Sequence, residues 1–361
     1  MPAFQHLPFS PAELSYLHTS LSSHPPLRPD SRLPTDFRPL SAETGILPTT
    51  NGSAHLSFSD GSEAIVGVKA DVERTPGQDH EQQEGGEDVP MQDSQDSSAK
   101  KCKGRSAWVD LSLTLPGLRD DDSNLIFLEE MLREPLVTPT SSPQSESMPS
   151  TLQDTLVINS RWHWRLSIDV LLISSSGLAS YPLPLLSMAI HLALRDTRLP
   201  RLKSEGEEDP SADDDWDASR YLFDRENTTK PPVTLLVVLV GDNVLFDPSR
   251  EELSVADGVL AVGVASTGSS KEQQAAQVLS IRSIETGAKD TMKGVPREEV
   301  EEWAEVKGVW RPKLGGVKRQ VVKKVVKEVT TGGVGMDVLR GLDGFLGAER
   351  EVEARARAVG G

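Results

Sequence analysis

The chain has 361 residues, enough for one large domain or two small ones, and its 37% hydrophobic share is diluted by 25 prolines and 28 glycines. A net charge of −17 excludes a surface that coats nucleic acid generally, while leaving room for a local basic patch. The single cysteine, Cys102, excludes an intrachain disulfide framework and a cysteine-rich zinc site, and no apolar run reaches the roughly 18 residues of a membrane span. With no secretory leader recognisable, the expected setting is soluble, intracellular and reducing.

Ser10-Pro11-Ala12-Glu13 predicts a helix start, with a capping hydroxyl, Pro in the first turn and Glu three residues after the Ser. The helix should run to about Ser22 with Leu14, Leu17 and Leu21 on one face, and Pro25 and Pro26 should stop it. An extended charged loop, Leu27 to Arg32, leads to three expected strands, Phe37–Ile46, Gly52–Phe58 and Glu63–Val72. The turn Ser59-Asp60-Gly61-Ser62 joins the last two into a hairpin. From Arg74 to Arg105 the chain is rich in Gln, Glu, Asp, Gly and Ser, a composition that does not offset the entropy of ordering, so a disordered insertion is expected. Its basic cluster, Lys100, Lys101, Lys103 and Arg105, reads as a localisation signal, an RNA contact or an ordinary loop cluster.

Trp108 to Leu115 alternates as a strand, and Asp120-Asp121-Asp122-Ser123 caps a helix from about Asn124 to Arg133 that Pro135 should end. A loose linker, 138–151, and a short strand, Leu156–Ile158, follow. The organising centre comes next. Leu166–Ile173 is an almost continuous apolar strand, expected to be covered on both faces, and Leu183–Leu194 is a helix nearly without charge, expected to be buried all round. Lys203–Asp217 is an acidic excursion, assigned as a third disordered insertion. Strands are then predicted at Val233–Val240, Asn243–Phe246, Leu253–Ala265 and Gln277–Ile284, and helices at 296–309 and 317–329. The last helix carries Lys318, Arg319, Lys323, Lys324 and Lys327, the strongest basic concentration in the chain, read here as a solvated helix face. The order predicts an α+β fold of two related halves. Its parts are an N-terminal helix (1–26), a domain (27–330) interrupted at about 74–105, 138–151 and 203–217, and a C-terminal tail (331–361).

The chemistry-bearing residues do not compose an active site. No Gly-rich phosphate cradle is present, and the seven scattered histidines predict no metal site, so no cofactor is expected. His163, between Trp162 and Trp164, reads as a packed histidine or as a base-stacking flank. Asp169 interrupts the apolar strand and needs either a structural partner or a function. Glu251, Glu252 and Asp257 suit a metal or an acid, or equally a helix cap. Ser174 to Ser176 have no partner histidine at a definable spacing.

Four pieces, in this order, resemble the RNase PH fold and, more narrowly, the non-catalytic RNase PH-like ring subunits of the eukaryotic RNA exosome. They are Arg28-Pro-Asp-Ser-Arg32 with Asp36-Phe-Arg38, similar to an Arg-x-Asp-Gly-Arg entry in which Ser31 replaces the Gly; Gly52-Ser53-Ala54 with Val66 to Ala70; Trp164 to Leu172 with Gly177 and the helix ending Asp196-Thr-Arg-Leu-Pro200; and Val244 to Pro248 with Glu251-Glu252 and Val259 to Gly268. Phosphorolytic members of the family hold phosphate with a Gly-Thr/Ser-Arg turn. The corresponding turn here, Gly177-Leu178-Ala179-Ser180, has no arginine and so lacks the charge-assisted bonds. Active members also carry an aspartate pair before the strand corresponding to Val259, and here Leu253 falls close to one of those places and Asp257 near the other. The resemblance therefore implies a catalytically inactive subunit of a hexameric ring, supporting 3′–5′ RNA processing and degradation by forming the RNA channel. It implies RNase PH-like and cap subunits as partners, no small-molecule substrate, and a nuclear, nucleolar and cytoplasmic location. By the same resemblance Arg133 is the RNA-contacting candidate; its other reading is a cation favouring a helix C-terminus. Two further functions stay open at this point, a phosphate-dependent 3′–5′ exoribonuclease and a nuclear scaffold unrelated to RNA.

Overall fold

The computed structural model describes residues 9–75, 104–138, 152–173, 181–204, 206, 208–223, 230–267, 275–284, 310 and 316–360. Helix α1 (Pro11–Ser22) starts with the expected capping box. The Ser10 hydroxyl accepts from the Glu13 N–H at 3.3 Å, and Glu13 Oε2 accepts from the Ser10 N–H at 2.7 Å. Strands β1 (Leu40–Thr44), β2 (Gly52–Phe58), β3 (Glu63–Arg74), β4 (Val109–Thr114) and β5 (Trp162–Ile173) form one sheet in the order β1-β2-β3-β5-β4, with β4 and β5 parallel. Strands β8 (Val233–Val240), β9 (Asn243–Phe246), β10 (Gly258–Thr267) and β11 (Ala275–Ile284) form a second, antiparallel sheet in the order β11-β10-β8-β9. The short β6 (Arg198–Leu199) and β7 (Arg220–Tyr221) pair with each other.

Between the sheets lie α2 (Ser123–Val137) and α4 (Leu183–Asp196). α4 meets β2 and β3 on one side and β8 on the other. Every residue from Leu183 to Arg195 is buried, because a helix covered by sheets from both sides has no wet face. The remaining helices are α3 (Leu152–Thr155), α5 (Arg250–Ser254), α6 (Arg319–Thr330) and α7 (Val334–Gly360). α6 and α7 pack on the far side of the second sheet. Val264 of β10 illustrates this, since a Cβ on Gly335 of α7 would come within 2.9 Å of it. The second sheet is thus covered on both faces, and all eight residues of β8 are buried.

Several expectations are corrected. β5 is not covered on both faces: Leu166, Ile168, Val170 and Leu172 face the helices, while Asp169, Leu171 and Ile173 are exposed. An apolar run signals burial only where a second layer exists, and among the described residues no element forms an outer layer here. Pro135 does not end α2. It sits one turn from the end, where the Thr138 N–H still reaches the Glu134 carbonyl at 3.0 Å, and its ring packs on β10, where a Cβ on Gly263 would meet Pro135 Cγ at 2.8 Å. Leu152–Thr155 is helical, and only Val157 of the expected 156–158 strand makes a β-bridge, to His163.

β10 begins at Gly258, not Leu253, because the Ser249–Glu252 capping box starts α5. The described residues of the 203–217 insertion are tied back to the chain: the Lys203 N–H bonds Ser211 O and the Asp213 N–H bonds Arg201 O, each at 2.8 Å. Residues 331–361, expected as a tail, are helical over Val334–Gly360, and Leu339, Leu342 and Leu346 enter the core. The 296–309 helix and most of the 74–105 and 138–151 insertions lie outside the described residues.

Candidate functional site

The first and fourth pieces of the resemblance meet in one buried charge network. Arg28, with a fully buried side chain, gives its Nε and one Nη to Glu252 at 2.7 and 2.8 Å, a two-pronged pair whose carboxylate is also fully buried. Its remaining N–H groups bond the carbonyls of Leu33, Phe246 and Asp247 at 3.2, 3.1 and 2.9 Å. Asp247 is gripped by two more arginines, Arg32 Nη1 at 3.0 Å and Arg38 Nη2 at 2.7 Å, and by the Arg38 N–H at 2.7 Å. Such burial of charge is tolerable only because every side-chain nitrogen and oxygen of the buried Arg28–Glu252 pair has a hydrogen-bond partner. Two residues of the network have left-handed backbone, Ser31 (φ 61°) and Asp247 (φ 45°). Ser31 occupies the place where the resembling motif has glycine, and its positive φ supplies the physical reason for glycine there.

The second and third pieces meet in the same way. A Cβ at Gly52 would fall 2.5 Å from the Thr197 backbone, so only glycine lets the end of α4 cross β2 this closely. Asn51 then bonds the Arg198 carbonyl at 3.1 Å and the Ala70 N–H at 2.9 Å, while Asp196 accepts from the Ser53 N–H at 3.2 Å.

The individual candidates fall as follows. Arg133 lies near the end of α2 but turns onto the chain itself, with Nε to the Val109 carbonyl at 3.0 Å and Nη2 to the Ser106 carbonyl at 2.6 Å. Glu130 stands 3.7 Å away, and burial together with Asp110 and Glu130 raises the pKa of neighbouring Glu129. Gly177, Leu178, Ala179 and Ser180, like Ser174 to Ser176 and Lys100 to Lys103, lie outside the described residues.

His163 is buried, stacked on Trp108 at 4.1 Å and bonded to the Thr75 hydroxyl at 2.9 Å, with burial holding its pKa below the usual histidine range. It is a packed histidine. Asp169 faces solvent, so its carboxylate is hydrated and needs no buried partner. Glu252 belongs to the arginine network and caps α5. Leu253 is buried, and Asp257 Oδ2 accepts from the Gly241 N–H at 2.7 Å, holding the β8–β9 turn.

Two features escaped the sequence reading. The first is a polar cluster at the edge of the core: half-buried Asp343 of α7 pairs with buried Lys230 and, at 3.5 Å, with buried Arg195 of α4. Beside them His191 donates from Nδ1 to the Pro231 carbonyl at 2.8 Å, and burial, with help from Arg195, depresses its pKa to about 4. Histidine on a wholly apolar helix was the available signal. The second is the outer face of the first sheet. Leu171 (40% exposed) and Ile173 (42%) pair across strands with Ile65 and Glu63, and His55 stands beside Ile65. This is a small apolar patch with a charged rim, on a face that no helix covers among the described residues.

The model of the 3′ exoribonuclease family, domain 2, matches residues 230–285, the second sheet. The exosome complex component RRP42 of Saccharomyces cerevisiae is 31% identical over 258 residues, 70% of this chain and 80% of that protein. The exosome complex component rrp42 of Schizosaccharomyces pombe is 30% identical over 271 residues, 71% and 78% respectively. A solved structure described as the Archaeoglobus fulgidus exosome with RNA bound to the active site superposes with a TM-score of 0.51 at 18% identity, covering 91% of this chain and 97% of that one. That likeness concerns the fold.

Proposed function

The chain belongs to the RNase PH-like family of exosome ring components that includes RRP42, and on that footing we propose that it is a structural subunit of a hexameric exosome ring that forms part of an RNA channel and performs no phosphorolysis itself. One observation carries the second half of the reading. Close to where the family resemblance puts a catalytic aspartate pair, Leu253 is buried among apolar side chains, and Asp257 is engaged by the Gly241 N–H. The arginines of the entry loop support it, because Arg28, Arg32 and Arg38 are all turned onto Asp247 and Glu252. A cation so committed has little left to offer a phosphate. Arg133, bonded to two carbonyls, serves β4 and the preceding turn, and a role on RNA requires those bonds to open.

The partners follow from the same family: other RNase PH-like chains around the ring, cap subunits, and RNA. The site of action is the nucleus and nucleolus, with a cytoplasmic share, which imaging of a tagged chain tests. Native mass spectrometry of the complex carrying this chain, beside a phosphate-dependent assay on the chain alone, tests the whole. The expected result is one stable particle with several other RNase PH-like chains and no nucleoside diphosphate released by the isolated chain. A homo-oligomer that consumes RNA only when phosphate is present overturns it.

A further inference from the structure

Helix α6 has two faces of opposite character. Val325 and Val329 are wholly buried, and Val321 and Val322 pack against the core beside them. On the other side Lys318 at the cap and Arg319, Lys323, Lys324 and Lys327 are all exposed, and the run from 318 to 327 contains no acid. Among the described residues no carboxylate pairs with Lys318, Arg319, Lys323 or Lys327, while Lys324 donates to the Asp242 carbonyl. Arg319, Lys323 and Lys327 recur every fourth residue, which lines them up along one stripe rising about 12 Å. Like charges at that spacing destabilise a helix. In a chain of net charge −17 they are a local concentration and no share of a general basic coat.

We propose that this stripe binds the phosphodiester backbone of RNA, at a site separate from Arg133. The inference rests on the RNA-handling role proposed above. The chemistry of the face selects the partner. Its exposed side chains from 318 to 327 are cations and Gln320, with no apolar or aromatic anchor. A protein partner needs a desolvated apolar centre, whereas phosphates need only cations to replace their counterions. With no ring for a base to stack on, the contact carries no base preference.

The test uses the ring reconstituted with its RNase PH-like neighbours, wild type against an Arg319→Gln, Lys323→Gln, Lys327→Gln variant, and fluorescein-labelled oligouridylate and oligoadenylate in a salt titration read by anisotropy. The expected result is a slope of log affinity against log salt shallower by about 2, from three lost contacts at about 0.7 each, with low-salt affinity down at least about tenfold for both oligomers. Unchanged slope and affinity in a wild-type ring that does bind RNA overturn the stripe and leave the subunit's RNA role standing. A wild-type ring that binds neither oligomer sinks both. Loss of the ring or of one neighbour in the variant, seen by native mass spectrometry, makes the stripe a protein contact and overturns the proposal.

Discussion

Arg28 and Glu252 are 224 residues apart in the chain, yet their bonded pair is the tightest tie between the entry loop and α5. Removing one partner strands a buried charge, so Glu252→Leu alone should lower stability by about 3–5 kcal/mol, while Arg28→Met with Glu252→Leu should cost less than either single change. Thermal unfolding of the four proteins of this cycle checks it, and a double variant worse than both singles would refute the account. Gly52→Ala is a second residue-scale case. Its Cβ meets Thr197 backbone, which has no rotamer to yield, so a loss of about 1–3 kcal/mol is expected, measured by the same melts. The motif residues themselves were legible in sequence. That they act in two pairs, and that the arginines point inward, was not, because spacing along a chain says nothing about which distant carboxylate a guanidinium will find.

At the scale of elements, α4 shows why composition is a good guide to burial and β5 shows where it fails. Both are apolar runs, but α4 is enclosed by two sheets and β5 only by the helices on one side, with Leu171 and Ile173 facing out. Periodicity reports the chain's own pattern, and the presence of a second layer is a property of topology. α4 also holds a titrating group. His191 is neutral and buried with a pKa near 4, against about 6.5 unfolded, so between those values the unfolded chain binds more protons. Its contribution is complete above about pH 6.5 and is lost as pH falls towards 4, on the order of 3 kcal/mol in all. His191→Gln, which keeps a donor for the Pro231 carbonyl, should flatten that acid limb in stability measured from pH 7 to 4. The same limb in both proteins would assign it elsewhere. Boundaries were legible where side chains write them, as at Ser10–Glu13 and Asp122; at Ser249–Glu252 a helix cap was one of several readings of the acids, and the helix it starts runs on to Ser254, into residues expected as strand.

At the scale of the whole molecule, the outer face of the first sheet offers a neighbour in the ring two exposed apolar side chains, Leu171 and Ile173. Leu171→Lys with Ile173→Lys changes two exposed positions and sets a cation opposite Glu63, so the chain's own melting temperature should move by no more than a degree or two, while co-assembly with other RNase PH-like chains should fall at least about tenfold. Size-exclusion chromatography of the co-expressed ring reads this, and intact assembly would move the interface elsewhere. The sandwiching of α4 has a further consequence, for synthesis. The helix is complete at residue 196, but the sheet that covers its second side ends at residue 284. At about 5–20 residues per second a ribosome needs several seconds to make that interval. Until the second sheet is complete the nascent chain carries a helix dry on one side and bare on the other, and up to residue 251 it also carries an Arg28 whose carboxylate has not yet been made. Ribosome-bound chains stopped between those two points are therefore the form of this protein most exposed to aggregation and most dependent on chaperones.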